Sequence, residues 1–110
     1  MKDTIKLLWT IFRKKRALAE INLAIEDVKV DTVEALMLVE EYHQLRAIAL
    51  DPHIRQAFTR RCVSQQIKVD QLQDNFAELM IAKTCLEIQI SEASRAFRLV
   101  QALHELRKPG

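Results

Sequence analysis

The sequence predicts an all-α protein, a helical hairpin or bundle with a long C-terminal coiled-coil helix that is expected to oligomerise. The first observation is the near absence of turn residues, because Gly110 is the single glycine and Pro52 and Pro109 are the two prolines. A β-rich domain or a phosphate-binding loop needs glycine at many positions. The second observation is that apolar residues recur three and four residues apart, which is the helical period.

Length and composition predict one globular domain over residues 1–110. The chain has 110 residues, of which 49% are hydrophobic and 29% charged. This length supports one modest core, and the composition excludes a chain that stays disordered for lack of apolar residues.

The first half of the chain predicts either one helix or two. Its apolar residues follow a single register: Ile11, Leu18, Ile21, Ile25, Val28, Ala35, Val39, Tyr42 and Ala49. One helix over about residues 3–50 is therefore one alternative. The other is a break into helices 3–28 and 31–50, because residues 28–34 are rich in β-branched side chains and Asp31 and Glu34 have capping-box spacing. We prefer the break.

A clear boundary lies at Leu50-Asp51-Pro52. The residue before a proline avoids the helical region, so the preceding helix is expected to end by Leu50. Asp51 is then the N-cap of a helix that begins at Pro52.

The helix predicted over residues 52–108 carries a heptad seam in one register. The seam positions are Phe58, Cys62, Gln65, Val69, Leu72, Phe76, Leu79, Lys83, Leu86, Ile90, Ala93, Phe97, Val100 and His104. A break near residues 66–70 is the alternative, because residues 67–70 (IKVD) resemble residues 28–31 (VKVD). The polar seam residues Gln65, Lys83 and His104 are of the kind that restricts register or oligomeric state.

The same helix has a second apolar line outside the seam, which we call the α2 outer stripe: Val63, Ile67, Ala77, Ile81, Ile88, Leu99 and Leu106. A helix that is apolar on two faces needs two neighbours. We therefore expect contacts with a second copy, as a homodimer or larger, or with another helical protein. The expected contact residues are Phe58, Ile67, Val69, Leu72, Phe76, Leu79, Ile81, Lys83, Leu86, Ile88, Ile90, Phe97 and Val100.

The N-terminal segment TIKLLWTIFRKKR, residues 4–16, combines an apolar face with a basic run. We expect Ile5, Leu8, Trp9 and Phe12 to pack in the core. The basic run is expected to face an acidic block of this chain or of a partner, because charge alternates in sign between successive blocks of the sequence. The candidate contacts for an anionic partner are Arg13, Lys14, Lys15, Arg16, Arg55, Arg60 and Arg61.

Two binding alternatives remain. Residues 52–61 have the composition of a DNA-recognition helix, with the basic run 13–16 holding phosphates, although the net charge is only +2. Residues 4–16 also resemble an amphipathic segment that lies on a membrane surface.

Enzymatic chemistry is not expected, and neither is a cofactor or a metal. Glu40 and His43 have the spacing of one di-iron ligand pair, but the second pair that such a site needs is missing from the sequence. The two cysteines and the absence of a recognisable signal peptide predict a soluble cytoplasmic protein with reduced thiols. The sequence thus predicts an assembly adaptor, a scaffold or a small helical chaperone.

Overall fold

The computed structural model describes residues 2–108, so Met1, Pro109 and Gly110 lie outside the described residues. It contains two helices, α1 (Lys2–Ile48) and α2 (Pro52–Arg107), joined by residues 49–51. Residues 2–108 contain no β-strand. The predicted all-α class and the helical hairpin are confirmed.

The connection between the helices is short and is hydrogen-bonded at both helix ends. Asp51 is the N-cap of α2, since its Oδ1 accepts a hydrogen bond of 2.8 Å from the backbone N–H of His53. The Arg55 guanidinium caps the C-terminal end of α1, because its Nη2 donates a hydrogen bond of 2.9 Å to the Ala49 carbonyl oxygen. The chain turns at the predicted boundary, and Pro52 takes the first helical position, where a missing N–H costs nothing.

α1 is one continuous helix, so the predicted break between residues 28 and 31 is wrong. The continuous register explains this result, because Val28 and Ala35 are buried and lie on the same face. The Thr32 hydroxyl donates to the Val28 carbonyl oxygen at 2.7 Å, inside the helix. The helix-propensity penalty of β-branched residues is about 0.5 kcal/mol each, less than the gain from burying a valine side chain.

α2 is also continuous, and the alternative of a break near residues 66–70 is not found. Val69, within that segment, is the most deeply buried large side chain described, with 1% of its surface exposed. Here too the seam register outweighs the local resemblance to residues 28–31.

The chain forms two compact units, and unit 2 covers Ala24–Leu79. All the buried hydrophobic side chains among the described residues belong to unit 2: Ile25, Val28, Ala35, Cys62 and Val69. The two helix segments contact each other directly here. The rings of Tyr42 and Phe58 stack with centroids 6.3 Å apart, and Cys62 Sγ lies 3.9 Å from the Val39 carbonyl oxygen.

Unit 1 comprises Met1–Leu23 and Met80–Gly110. Its seam side chains are only half-buried, for example Ile11, Leu18, Ile90 and Phe97. A polar contact joins the two segments, since Lys14 Nζ donates to Gln89 Oε1 at 2.6 Å. Each unit is therefore a pair of packed helical segments, and the expectation of one domain over the whole chain stays a prediction.

Candidate interaction surface

The α2 seam lies against α1 within each unit. Val69 is buried, and the other predicted contact residues of the seam are half-buried: Phe58, Leu72, Phe76 and Leu79 in unit 2, and Lys83, Leu86, Ile90, Phe97 and Val100 in unit 1. Much of their apolar surface is already covered inside the chain. A contact of these residues with another chain stays a prediction.

The polar seam positions differ in their surroundings. Gln65 is half-buried, and its Oε1 is a buried oxygen without a hydrogen-bond partner among the described residues. Lys83 is half-buried between the Leu79 and Leu86 layers, whereas His104 is exposed. A buried acceptor without a hydrogen-bond partner costs stability, so we expect Gln65 to weaken the seam at its own position.

The α2 outer stripe is exposed over its length. Val63 and Ile67 in unit 2 and Ile81 and Ile88 in unit 1 each leave half or more of their surface in contact with solvent. Their positions on the helix point away from the seam, so α1 does not cover them. An apolar line of this kind on a surface commonly marks an interaction site.

The N-terminal apolar face is also exposed, which corrects the expectation that it packs in the core. Trp9 is 55% exposed, and Ile5, Leu8 and Phe12 are similarly open. The α1 seam instead uses Leu7 and Ile11, which lie on the opposite side of the helix. Trp9 and Phe12 pack edge to face on each other, with ring centroids 5.9 Å apart.

Sequence reasoning missed that this face continues along α1 as a second three-four register. We call it the α1 outer stripe, and all of its members are exposed: Lys2, Ile5, Trp9, Phe12, Arg16, Ala19, Leu23, Glu26, Val30, Val33, Met37 and Glu40. The signal was present in the sequence as a regular spacing. The expectation that the N-terminal apolar residues pack in the core conceals it, and the predicted break between residues 28 and 31 interrupts it.

Among the described residues, the basic run of residues 13–16 forms two contacts within α1 and one with α2. The Arg13 guanidinium lies 5.9 Å from the Trp9 ring centroid, and Lys14 binds Gln89. Arg16 Nε is 4.0 Å from Glu20 Oε1, one turn along the same helix. An exposed pair of this kind contributes little to stability. Lys15 and Arg16 point into solvent.

The other predicted basic contacts belong to the first turns of α2. Arg55 is engaged with the Ala49 carbonyl oxygen. Arg61 lies over the Tyr42 ring at 5.9 Å from its centroid, and Arg60 is exposed. Residues 52–61 are thus the start of a long helix rather than a separate recognition helix.

The two units carry opposite net charge. Unit 1 contains eleven Lys or Arg and five Asp or Glu residues, a net charge of +6, whereas unit 2 contains six and ten, a net charge of −4. The net charge of a unit does not decide what the basic run faces, because Lys14 binds Gln89, which lies between Glu87 and Glu92 in the sequence. The expected pairing of the basic run with an acidic block of this chain or of a partner stays a prediction.

The described residues have few features of a chemical site. They contain no group of three or more His, Cys, Asp or Glu side chains placed to hold a metal ion. Both thiols are free, Cys62 buried and Cys85 exposed. Within residues 2–108, neither helix has a stretch long and apolar enough to cross a bilayer.

Comparison with known proteins found no matching family model, no matching curated protein and no matching solved structure.

Proposed function

We propose that this protein is a non-enzymatic interaction module that acts through helix packing, as an assembly adaptor, scaffold or small helical chaperone. The observation that carries the proposal is the α2 outer stripe, because its isoleucines remain exposed although α2 is packed on α1. Several members of the stripe are four or seven residues apart and so lie on one side of α2, which suits a partner that is itself an amphipathic helix.

The exposure of the stripe in each unit supports this proposal. Ile67 in unit 2 is 52% exposed and Ile81 in unit 1 is 67% exposed. Apolar side chains that stay open to solvent in a row are characteristic of a surface that binds a partner.

The test is photo-crosslinking in the cells from which the protein comes. A photoreactive benzoylphenylalanine replaces Ile67 or Ile81 on the α2 outer stripe, and Asn75, exposed on another face of α2, is the matched control position. We expect both stripe positions to form adducts with the same protein, at a clearly higher yield than Asn75. Equal yields at all three positions would contradict the proposal.

Membrane-surface binding is a second candidate, favoured by the exposure of Trp9 and Phe12 next to Arg13 and Lys15. Tryptophan beside basic residues is typical of interfacial segments. The test is co-sedimentation with vesicles that contain anionic lipid. Loss of sedimentation in Trp9→Ser, but not in Ile81→Ser, would support it, and no sedimentation of the wild type would exclude it.

A cytoplasmic location is part of the main proposal. The free Cys62 and Cys85 suit a reducing compartment. Fractionation of cells that express the protein, with the thiols trapped at lysis, measures both location and oxidation state, and a disulfide-linked form would argue against this location.

A further inference from the structure

We infer that the partner of the α1 outer stripe is a second copy of this chain, bound antiparallel through the same stripe. This inference deepens the proposed function and rests on it. It uses a different surface from the α2 outer stripe, so the two are tested separately. The stripe lies on the side of α1 away from its seam, where every member is exposed.

When two copies of the stripe run antiparallel, the side chains that face each other are complementary. In a contact with twofold symmetry, if residue i of one copy contacts residue j of the other, residue j of the first copy also contacts residue i of the second. Aligning Arg16 with Glu26 of the second copy places Phe12 opposite Val30 and Trp9 opposite Val33. The same alignment, carried one step further, places Ile5 opposite Met37. Every large apolar residue in these layers then meets an apolar residue.

The charges beside the stripe follow the same alignment on one flank. There Lys6 and Arg13 accompany the apolar residues of the first half, and Asp27 and Glu34 accompany those of the second half, whereas Lys29 beside Val30 on the other flank is basic. The contact thus places the basic unit 1 of one copy on the acidic unit 2 of the other. A second copy brings the acidic residues Asp27 and Glu34 of its α1 toward the basic N-terminal segment.

The charged layer determines the register. Arg16 and Glu26 now form only exposed contacts within their own helix, with Glu20 at 4.0 Å and Lys29 at 3.3 Å. Both side chains are therefore free to turn toward a second copy. A shift of the pairing by one heptad leaves Arg16 opposite an apolar residue, and an unpaired charge between helices is costly. This favours one alignment over its neighbours.

The test is a charge exchange followed by sedimentation equilibrium at 150 mM salt. Wild type is expected to be a dimer of the 12.8 kDa chain. Arg16→Glu alone and Glu26→Arg alone each place like charges in both symmetric layers. We expect each substitution to raise the dissociation constant of the dimer at least tenfold. An equimolar mixture of the two variants restores both opposite-charge layers, so it is expected to form a heterodimer, and the double variant a homodimer.

Two controls separate this contact from general effects. Asp31→Arg makes the same change of charge as Glu26→Arg on another face of α1, and it is expected to leave the dimer unchanged. Circular dichroism checks that each variant keeps its helix content. A wild type that stays monomeric at 100 μM, or a mixture that does not associate, would overturn the inference. The photo-crosslinking on α2 would keep its meaning in either case.

Discussion

At the scale of single residues, stability is concentrated at a few seam positions. Val69 is almost completely enclosed, whereas Val63, six residues earlier on the same helix, is 55% exposed. The two valines have the same helix propensity, so they differ only in what surrounds them. They form a matched pair for measuring what the seam contributes.

We predict that Val69→Ala lowers the free energy of unfolding by about 1–3 kcal/mol, because it removes two buried methyl groups and leaves a small cavity. Val63→Ala is expected to change it by less than about 0.5 kcal/mol. Urea unfolding at one protein concentration measures both. Equal effects of the two substitutions would contradict the assignment of Val69 to the seam.

A substitution of Gln65 is expected to raise the free energy of unfolding rather than lower it. Its Oε1 is buried without a partner, so Gln65→Leu is expected to stabilise the chain by about 1 kcal/mol through loss of that penalty. The neighbouring Gln66 is exposed and bonds to Asp70 at 3.2 Å. Gln66→Leu is the control and is expected to give no stabilisation, and the midpoint of thermal unfolding compares the two.

At the scale of elements, the continuity of α1 through residues 28–34 is directly testable. If a helix began after Asp31, Thr32 would be its first residue, where proline is favoured. In a continuous helix, proline there removes a backbone hydrogen bond and clashes with the preceding turn, at a cost of about 3 kcal/mol or more. We therefore predict that Thr32→Pro strongly destabilises the protein.

Thr32→Ala is the matched control for that substitution. It also removes the hydroxyl bond to Val28, but it keeps the backbone N–H, and we expect a change within about 1 kcal/mol. Circular dichroism and chemical unfolding give the comparison. A proline variant as stable as the alanine variant would indicate that the helix is interrupted at this point.

The elements also show what the sequence could predict. Asp51 and Pro52 determine the loop by local chemistry, and that boundary was predicted correctly. The predicted seam residues from Phe58 to Val100 are buried or half-buried, whereas His104, the last of them, is exposed. Coiled-coil packing of the seam stays a prediction.

The break near Asp31 was predicted from β-branched residues and capping-box spacing. It is absent because the packing of α1 on α2 in one continuous register outweighs these local preferences. The position of Trp9 was predicted wrongly because α1 carries two three-four registers, and spacing alone does not tell which of two apolar faces meets the neighbouring helix.

At the scale of the whole molecule, the two units differ in how much they bury. Every buried side chain among the described residues belongs to unit 2, whereas the seam of unit 1 is only half-buried. Regions with few buried apolar contacts open more readily. We predict that backbone amides of unit 1 exchange with solvent faster than those of unit 2, as measured by hydrogen–deuterium exchange with peptide mass spectrometry.

Concentration provides the control for that measurement. If the α1 outer stripe pairs two copies, raising the protein concentration is expected to slow exchange in residues 5–16 more than in residues 93–107, which belong to the same unit but to the other helix. Exchange that is slower in unit 1 than in unit 2 at low concentration would contradict the prediction.

The capped connection at residues 49–51 has a consequence for how the chain folds. A loop of three residues costs little entropy to close, and each further pair of seam residues brought together encloses only a few more residues. The stacking contact between Tyr42 and Phe58, the aromatic pair close to the turn, is therefore expected to form early in folding. Folding is expected to begin at the turn and proceed like a zipper toward the termini, so the basic N-terminal segment is ordered last and is the part that association with a second chain stabilises most.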